Sequence, residues 1–384
     1  MVFQDKFQLR IPGPTPIPPS VQQAMSRPMI GHRSKECSAI IRQCSEDLGH
    51  IFGTNQTSLI LSSSGTSALE AAVINVLSPG DEALVVTTGV FGERFAKIVD
   101  RYQMTCHRLE VEWGKACDPE QLIQALRQHP TVKAVFFTYC ETSTGVLNPI
   151  HTLAQTVHEH SDALVIVDGV SCIGAVPCQM DDWGIDILVT GSQKAFMLPP
   201  GLAMVAVSEQ AWKRIANNPS PRFYLDLLSY REKMEQETTP FTPAVSLLFG
   251  LQEVLHLLAE EGMEAVIRRH QLLKEMTRAG IRALGLELMT SDEDASPTVT
   301  SILGGGDEWS SEALRKELSA IGVIVAGGQQ HLKGKIFRIG HMGYCDPLDI
   351  CTILSSLEVS LHKIGRPVSL GQGVQAAQEV WIHA

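Results

Sequence analysis

Three ionisable residues, each set in an apolar stretch, carry the chemistry this chain could do: Lys194, Asp168 and Arg338. Lys194 lies within residues 185–201, IDILVTGSQKAFMLPPG. Ile187, Leu188 and Val189 read as a buried strand, Gly191-Ser192 breaks it, and an apolar run closed by Pro199-Pro200-Gly201 follows the lysine. A lysine walled by apolar side chains loses its ammonium form to desolvation. Such an amine attacks carbonyls to form a Schiff base, whereas a solvated surface lysine does not. Asp168 closes the apolar run 163–167, placing a carboxylate at the C-terminal edge of a buried parallel strand, where open α/β sheets bind ligands. Alone, that carboxylate suits a helix cap, a metal ligand or a partner for a cationic heterocycle. Followed 26 residues on by Lys194 at a second strand end, it matches a pyridoxal phosphate site. There the lysine holds the aldehyde and the acid keeps the pyridine nitrogen protonated. Arg338, in Phe337-Arg338-Ile339-Gly340, suits bidentate capture of a carboxylate or, by alternation, an outward-facing strand position.

The elements that must position these residues alternate. A strand over 58–61 runs through Ser62-Ser63-Ser64-Gly65-Thr66 into a helix reaching Leu77. That turn is either an anion site of free backbone N–H groups or an ordinary N-cap. Strand 83–87 precedes Gly89-Val90-Phe91-Gly92 and a helix to 101, so Phe91 stacks on a ring or plugs the core. Strand 133–138 ends in the polar cluster 139–145, and a helix over 149–159 leads to the Asp168 strand. With a further strand at 202–207, this is a mainly parallel α/β sheet whose polar residues collect on one edge. Beyond 208 the pattern changes to a long amphipathic run over 244–284 bent near Gly262, strands at 299–303 and 335–339, and helices at 311–321 and 348–363. We expect an extended arm over 1–20, pinned or frayed, a large domain over 21–262 and a smaller α+β domain over 263–384. The tail after Arg366 is expected to be loosely held.

Composition excludes several classes. At 44% hydrophobic and 19% charged residues, the 384-residue chain is globular. A net charge of -11 without a basic run argues against nucleic acid. No apolar run reaches the roughly 20 residues of a membrane span, and no signal-peptide core opens the chain. Nine scattered cysteines without a CxxC point to reduced thiols in the cytoplasm and to no metal site.

These residues together resemble class V aminotransferases of fold type I, in particular the alanine–glyoxylate and serine–glyoxylate (serine–pyruvate) group. The resemblance spans nearly the whole chain. It rests on PGPTPIP at 12–18, SGTSALE at 64–70, ETSTGVLNP at 141–149, VDGV at 167–170, GSQKA at 191–195 and FRIGHMG at 337–343. It implies a seven-stranded, mainly parallel large domain and a smaller C-terminal one. It also implies that Lys194 holds pyridoxal 5'-phosphate while Asp168 pairs with the pyridine nitrogen. Val170 and Phe91 would cover the two ring faces, and Thr142 would meet the ring edge. Ser64, Gly65, Thr66 and Gln193 would hold the phosphate and neighbouring polar groups, with Thr242 reaching the phosphate of the other subunit of a homodimer. Arg338, helped by backbone near Gly13, would clamp the substrate carboxylate. Two positions depart from some relatives: Thr66 stands where they have histidine, and Thr239 where they have an aromatic hydroxyl. The implied substrates are small amino acids such as alanine or serine and a 2-oxo acid such as glyoxylate or pyruvate, because one carboxylate-binding arginine suits them better than dicarboxylates.

Three rivals share parts of the pattern. A cysteine desulfurase needs a mobile cysteine, but loop 326–335 has none and the nearest is Cys345. A 2-aminoethylphosphonate aminotransferase needs more cation capacity, which Lys333 or Lys335 could supply. A subunit of a soluble hydrogenase, a label some relatives carry, would act here as a partner protein, since the chain has no metal-ligand spacing of its own.

Overall fold

The computed structural model describes residues 7–306 and 308–384. Its centre is a seven-stranded sheet: β1 (Leu59–Leu61), β2 (Glu82–Thr87), β3 (Thr105–Glu110), β4 (Ala134–Thr138), β5 (Leu164–Asp168), β6 (Ile187–Gly191) and β7 (Ala203–Val207). Their spatial order is β1-β7-β6-β5-β4-β2-β3, with only β7 antiparallel to its neighbours. β4 (AVFFT) and β5 (LVIVD) are buried at every residue, as continuous β-branched and aromatic runs require when helices cover both faces. The register sets Asp168 opposite Thr138 on β4 and Val189 on β6. The carboxyl ends of three central strands therefore share one edge.

The smaller part is a three-stranded antiparallel sheet of Val299–Leu303, Ile336–Gly340 and Ala326–Gly327. One apolar cluster spans the large sheet and its helices, and a second gathers Leu273, Phe337, Leu354 and their neighbours. The long amphipathic run breaks at Gly262 into helices Val245–Glu261 and Met263–Ala283. The second of these crosses between the clusters, with Val266 in the first and Leu273 in the second.

The Pro-rich arm is pinned. Gln8–Leu9 pair with Val323–Ile324, Gly340 N–H donates to Arg10 O (2.8 Å), and Arg10 pairs with Asp349. Further along, Thr15 N–H and Oγ1 donate to Gln193 O (3.2 Å) and Lys194 O (2.9 Å).

The tail corrects an expectation. Gln372–Ile382 forms a helix against Met263–Ala283. Glu358 holds its entry by accepting from Gly371 N–H (2.7 Å) and Gly373 N–H (2.8 Å). The residues it buries are Gly373 and Ala377, small groups that allow close helix approach but leave little apolar periodicity to read.

His270 and His341 are buried in this framework. His270 Nε2 accepts from Gly343 N–H (3.0 Å), with Nδ1 at 2.7 Å from Val266 O. His341 bridges Pro297 O and Thr300 Oγ1. Burial pushes their pKa values down to about 4 and about 3. Exposed on unfolding, they titrate near 6.5. The unfolded chain then takes up protons that the folded chain refuses, and stability falls as pH drops below that value. The buried carboxyls Asp168 and Glu141, pushed up by burial, slope the other way. The test is therefore a difference: between pH 6.5 and 5 the unfolding free energy of H341Q should fall less steeply than wild type, by up to about 1.4 kcal/mol per pH unit. Parallel slopes in urea titrations would contradict it.

Candidate active site

Lys194 lies three residues past β6, facing the Asp168 edge. Its side chain is 9% exposed, and Nζ donates to Pro12 O on the arm. Burial, reinforced by the charges of Arg338 and Arg94 and opposed by Cys140 and Asp168, pushes the ammonium pKa down to about 8. Asp168 Oδ1 accepts from Val170 N–H (2.9 Å), while Oδ2 has no hydrogen bond among the described residues. Burial pushes this carboxyl up to about 6. A protonated ring nitrogen placed on Oδ2 would restore the ionised form.

Both residues line a cavity of about 110 Å³ whose wall also holds Ser64, Gly65, Thr66, Phe91, Val170 and Gln193. Ser64 caps the helix Gly65–Val76, and the N–H groups of Gly65 and Thr66 have no protein acceptor among the described residues. Gln193 Oε1 is buried without a partner. A Cβ on Gly65 would lie 2.9 Å from Val170 Cγ2, so glycine allows the helix start to close on the valine. Free N–H groups at a helix start, an orphaned buried amide, an acid with a vacant lone pair and a desolvated amine fit a planar, phosphate-bearing cationic heterocycle.

Arg338 lies close enough to Lys194 for its charge to help lower the amine pKa. Its Nε and Nη2 donate to Gly327 O (3.0 and 2.8 Å) and Nη1 to Thr142 O (2.7 Å). This leaves one N–H on each terminal nitrogen, the pair that grips a carboxylate end-on. Among the described residues no carboxylate lies in ion-pair reach of it, and burial pushes its pKa down to about 10. Gly13, at φ +102°, lays the arm against the lysine, where a Cβ would meet Lys194 Cδ at 2.5 Å and Nζ at 2.7 Å. Thr142 Oγ1 donates to Ser171 Oγ (2.5 Å), and Ser171 lines the cavity.

Thr242 is exposed and absent from this wall. Thr239 is buried, its hydroxyl donating to Phe241 O (2.7 Å). Cys345 is buried and its thiol pushed up to about 12, which leaves it no thiolate for sulfur chemistry. Lys333 and Lys335 are exposed and also absent from the wall. Among the described residues no group of three or more His, Cys, Asp or Glu side chains converges as metal ligands do, and no helix is long and apolar enough to cross a membrane.

Two functional positions escaped the sequence reading. The fully buried Glu141 accepts from Phe91 N–H (2.9 Å), Gly92 N–H (3.1 Å), Ser143 N–H (3.0 Å) and Ser143 Oγ (2.5 Å). It caps the helix Val90–Arg101, whose own N-cap, Gly89, offers no side chain, and so orients Phe91. Arg94, one turn beyond Phe91, reaches the cavity wall. Its spacing from Phe91 was the available signal.

An α/β sheet with a buried lysine and aspartate at its carboxyl edge, completed by a small domain that delivers an arginine, is the arrangement of fold type I pyridoxal-phosphate aminotransferases. The structure of pyridoxamine-pyruvate aminotransferase from Mesorhizobium loti superposes with a TM-score of 0.94 at 31% identity, covering 100% of both chains. Residues 11–344 match the family described as Aminotransferase class-V, and the chain belongs to it. Among curated relatives, the soluble hydrogenase small subunit of Synechococcus sp. is 43% identical over 98% of this chain and 99% of its own. The serine–glyoxylate aminotransferase of Arabidopsis thaliana is 35% identical over 98% and 96%. The protein is an aminotransferase.

The approach of the arm to the lysine makes a sharp test. Gly13→Ala would drive Cβ into Lys194 and strain the backbone at φ +102°, lowering the transamination rate at least about 100-fold and the melting temperature by a few degrees. Unchanged activity would show that the arm does not set the lysine.

Proposed function

We propose that the protein binds pyridoxal 5'-phosphate through Lys194 and transfers the amino group of a small amino acid, alanine or serine, to glyoxylate or pyruvate. The observation that carries this reading is the set of groups around one cavity, unpartnered N–H groups at Gly65 and Thr66, Asp168 and the desolvated Lys194, with one arginine fork at Arg338 tied to its wall through Thr142 and Ser171. Bound pyridoxal phosphate supplies an aldehyde that carries the amino group and a ring that accepts the electrons of the substrate Cα–H bond.

The residues do the rest. Arg338 fixes the α-carboxylate with its two free N–H groups and thereby orients Cα–H toward Lys194. Lys194, about half of it uncharged at pH 8, takes that proton and returns it. Asp168 would pair with the ring nitrogen and keep it protonated. Phe91, set by Glu141, and Val170 would cover the ring from the cavity wall and, with the arm at Pro12–Gly13, keep water from the lysine. Thr142 ties the two ends, its carbonyl on Arg338 and its hydroxyl on Ser171. The single fork at the carboxylate end favours small neutral donors over dicarboxylates.

Thr242 then serves the site of a second copy in a homodimer. In support, Phe223 is 80% exposed and packs with Phe241 and Tyr224 into an aromatic patch, and Tyr224 donates to Ser62 O (2.9 Å) beside the anion end of the cleft. In this reading the arm 1–20, the large part 21–262 and the small part 263–384 are the working units. The nine free thiols suit the reducing cytoplasm. The name of the Synechococcus relative favours a second reading, a partner of a redox metalloprotein, for which co-purification of such a protein is the test.

The visible absorbance of the purified protein separates these readings. A yellow band that bleaches with L-alanine or L-serine and returns with glyoxylate is the expected outcome. Bleaching only by 2-aminoethylphosphonate, or faster bleaching by L-aspartate, would overturn the donor assignment. A protein that stays colourless with added pyridoxal phosphate would overturn the whole reading.

A further inference from the structure

The residues assigned above to the phosphate end, Ser64, Gly65, Thr66, Gln193 and Thr242, are all neutral. A phosphate monoester at neutral pH carries close to two negative charges, and in a cleft of low dielectric those charges need a counter-charge. The cavity wall holds three ionisable groups of strong charge: Lys194, Asp168 and Arg94. Lys194 meets the aldehyde and Asp168 the ring nitrogen. Arg94 is the one without a task.

Its geometry points to the phosphate end. Arg94 Nη1 donates to Thr66 Oγ1 (3.1 Å), the hydroxyl on the second residue of the helix whose first two N–H groups are free. Its guanidinium carbon lies 4.6 Å from the centroid of the Phe91 ring, a cation–π contact that holds the planar head in one orientation. No carboxylate among the described residues lies in ion-pair reach of Arg94. The acid one turn along from Thr66, Glu70, is occupied by the Tyr102 hydroxyl. A half-buried arginine locked by a ring and a threonine, with no acid to neutralise it, is built for an anion that arrives from outside.

We propose that Arg94 binds the cofactor phosphate, supplying the counter-charge that the neutral cup lacks and coupling phosphate binding to the placement of Phe91. The inference rests on the pyridoxal phosphate reading above and deepens it. Because Arg94 bridges Thr66 and Phe91, a bound phosphate would draw together the helix starts at Gly65 and Val90 across the mouth of the cleft.

The test compares two ligands that differ only in the phosphate. Dissociation constants of pyridoxal 5'-phosphate and of pyridoxal are measured by absorbance titration on the apo forms of wild type, R94Q and R94K, with the melting temperature of each apo form as a folding control. In R94Q the pyridoxal phosphate constant should rise about 10- to 100-fold, while that for pyridoxal stays within about threefold. R94K should fall between, since lysine keeps the charge and loses the fork. Raising salt should weaken pyridoxal phosphate binding more in wild type than in R94Q. Equal weakening of both ligands would show that Arg94 acts only through Phe91 and would overturn the proposal, as would unchanged binding of both. Wild type that binds neither ligand would overturn the cofactor reading and this inference together. Wild type that binds pyridoxal phosphate tightly while R94Q does so equally well would overturn this inference alone.

Discussion

The structure depends on keeping one lysine dry. The amine of Lys194 is useful only as a neutral group, and the fold moves it toward that form by desolvation, not by an adjacent base. A nearby acid would push the amine pKa the wrong way, and Asp168 does so to a small extent. The apolar run 195–198 that follows the lysine is buried, and the arm closes on the lysine side chain with the backbone of Pro12 and Gly13. Because the arm also pairs with Val323–Ile324 and with Gly340, the dryness of the lysine is tied to how the small part sits on the large one.

That constraint explains the unusual electrostatics around it. Asp168 and Glu141 are buried carboxyls, raised by desolvation, and Arg338 and Lys194 are buried bases, lowered by it. None of the four forms a close ion pair with another. Each is held by backbone dipoles instead: Val170 N–H on Asp168, Phe91 and Gly92 N–H on Glu141, Gly327 and Thr142 carbonyls on Arg338, and the Pro12 carbonyl on Lys194. Collapse of these charges onto one another would satisfy the protein but leave nothing for a ligand. Backbone groups hold the side chains in place without cancelling their charge, which is how a site stays ready to bind.

Much of this was legible in the sequence because it follows from short-range rules. Short apolar runs that stop at a polar residue or a glycine marked β4, β5 and β6, and their shared carboxyl edge followed from parallel pairing. Asp168 and Lys194 were readable as a pair because one closes such a run and the other follows the turn that ends the next. Contacts made over long separations were not. Glu141 caps a helix that begins 51 residues earlier, at Val90, and its sequence neighbours carry no trace of this. The terminal helix buries a glycine and an alanine, so the usual signal of large apolar residues was missing. Arg94 looked like one more charge on an amphipathic helix, because only its tertiary neighbours show that it lacks an acid.

The two ends of the cleft treat their anions differently, and this bears on what enters it. At the Arg338 end, three of the five guanidinium N–H groups are spent on carbonyls, so the fork accepts one carboxylate in one orientation. At the Gly65 end the donors are backbone N–H groups, an arginine on an aromatic ring and hydroxyls on an open rim, with Ser64 and Thr66 exposed. A geometry-specific clamp at one end and a charge-collecting rim at the other suit a small substrate that turns over and a larger anion that stays. The buried amine between them lies where the two must meet.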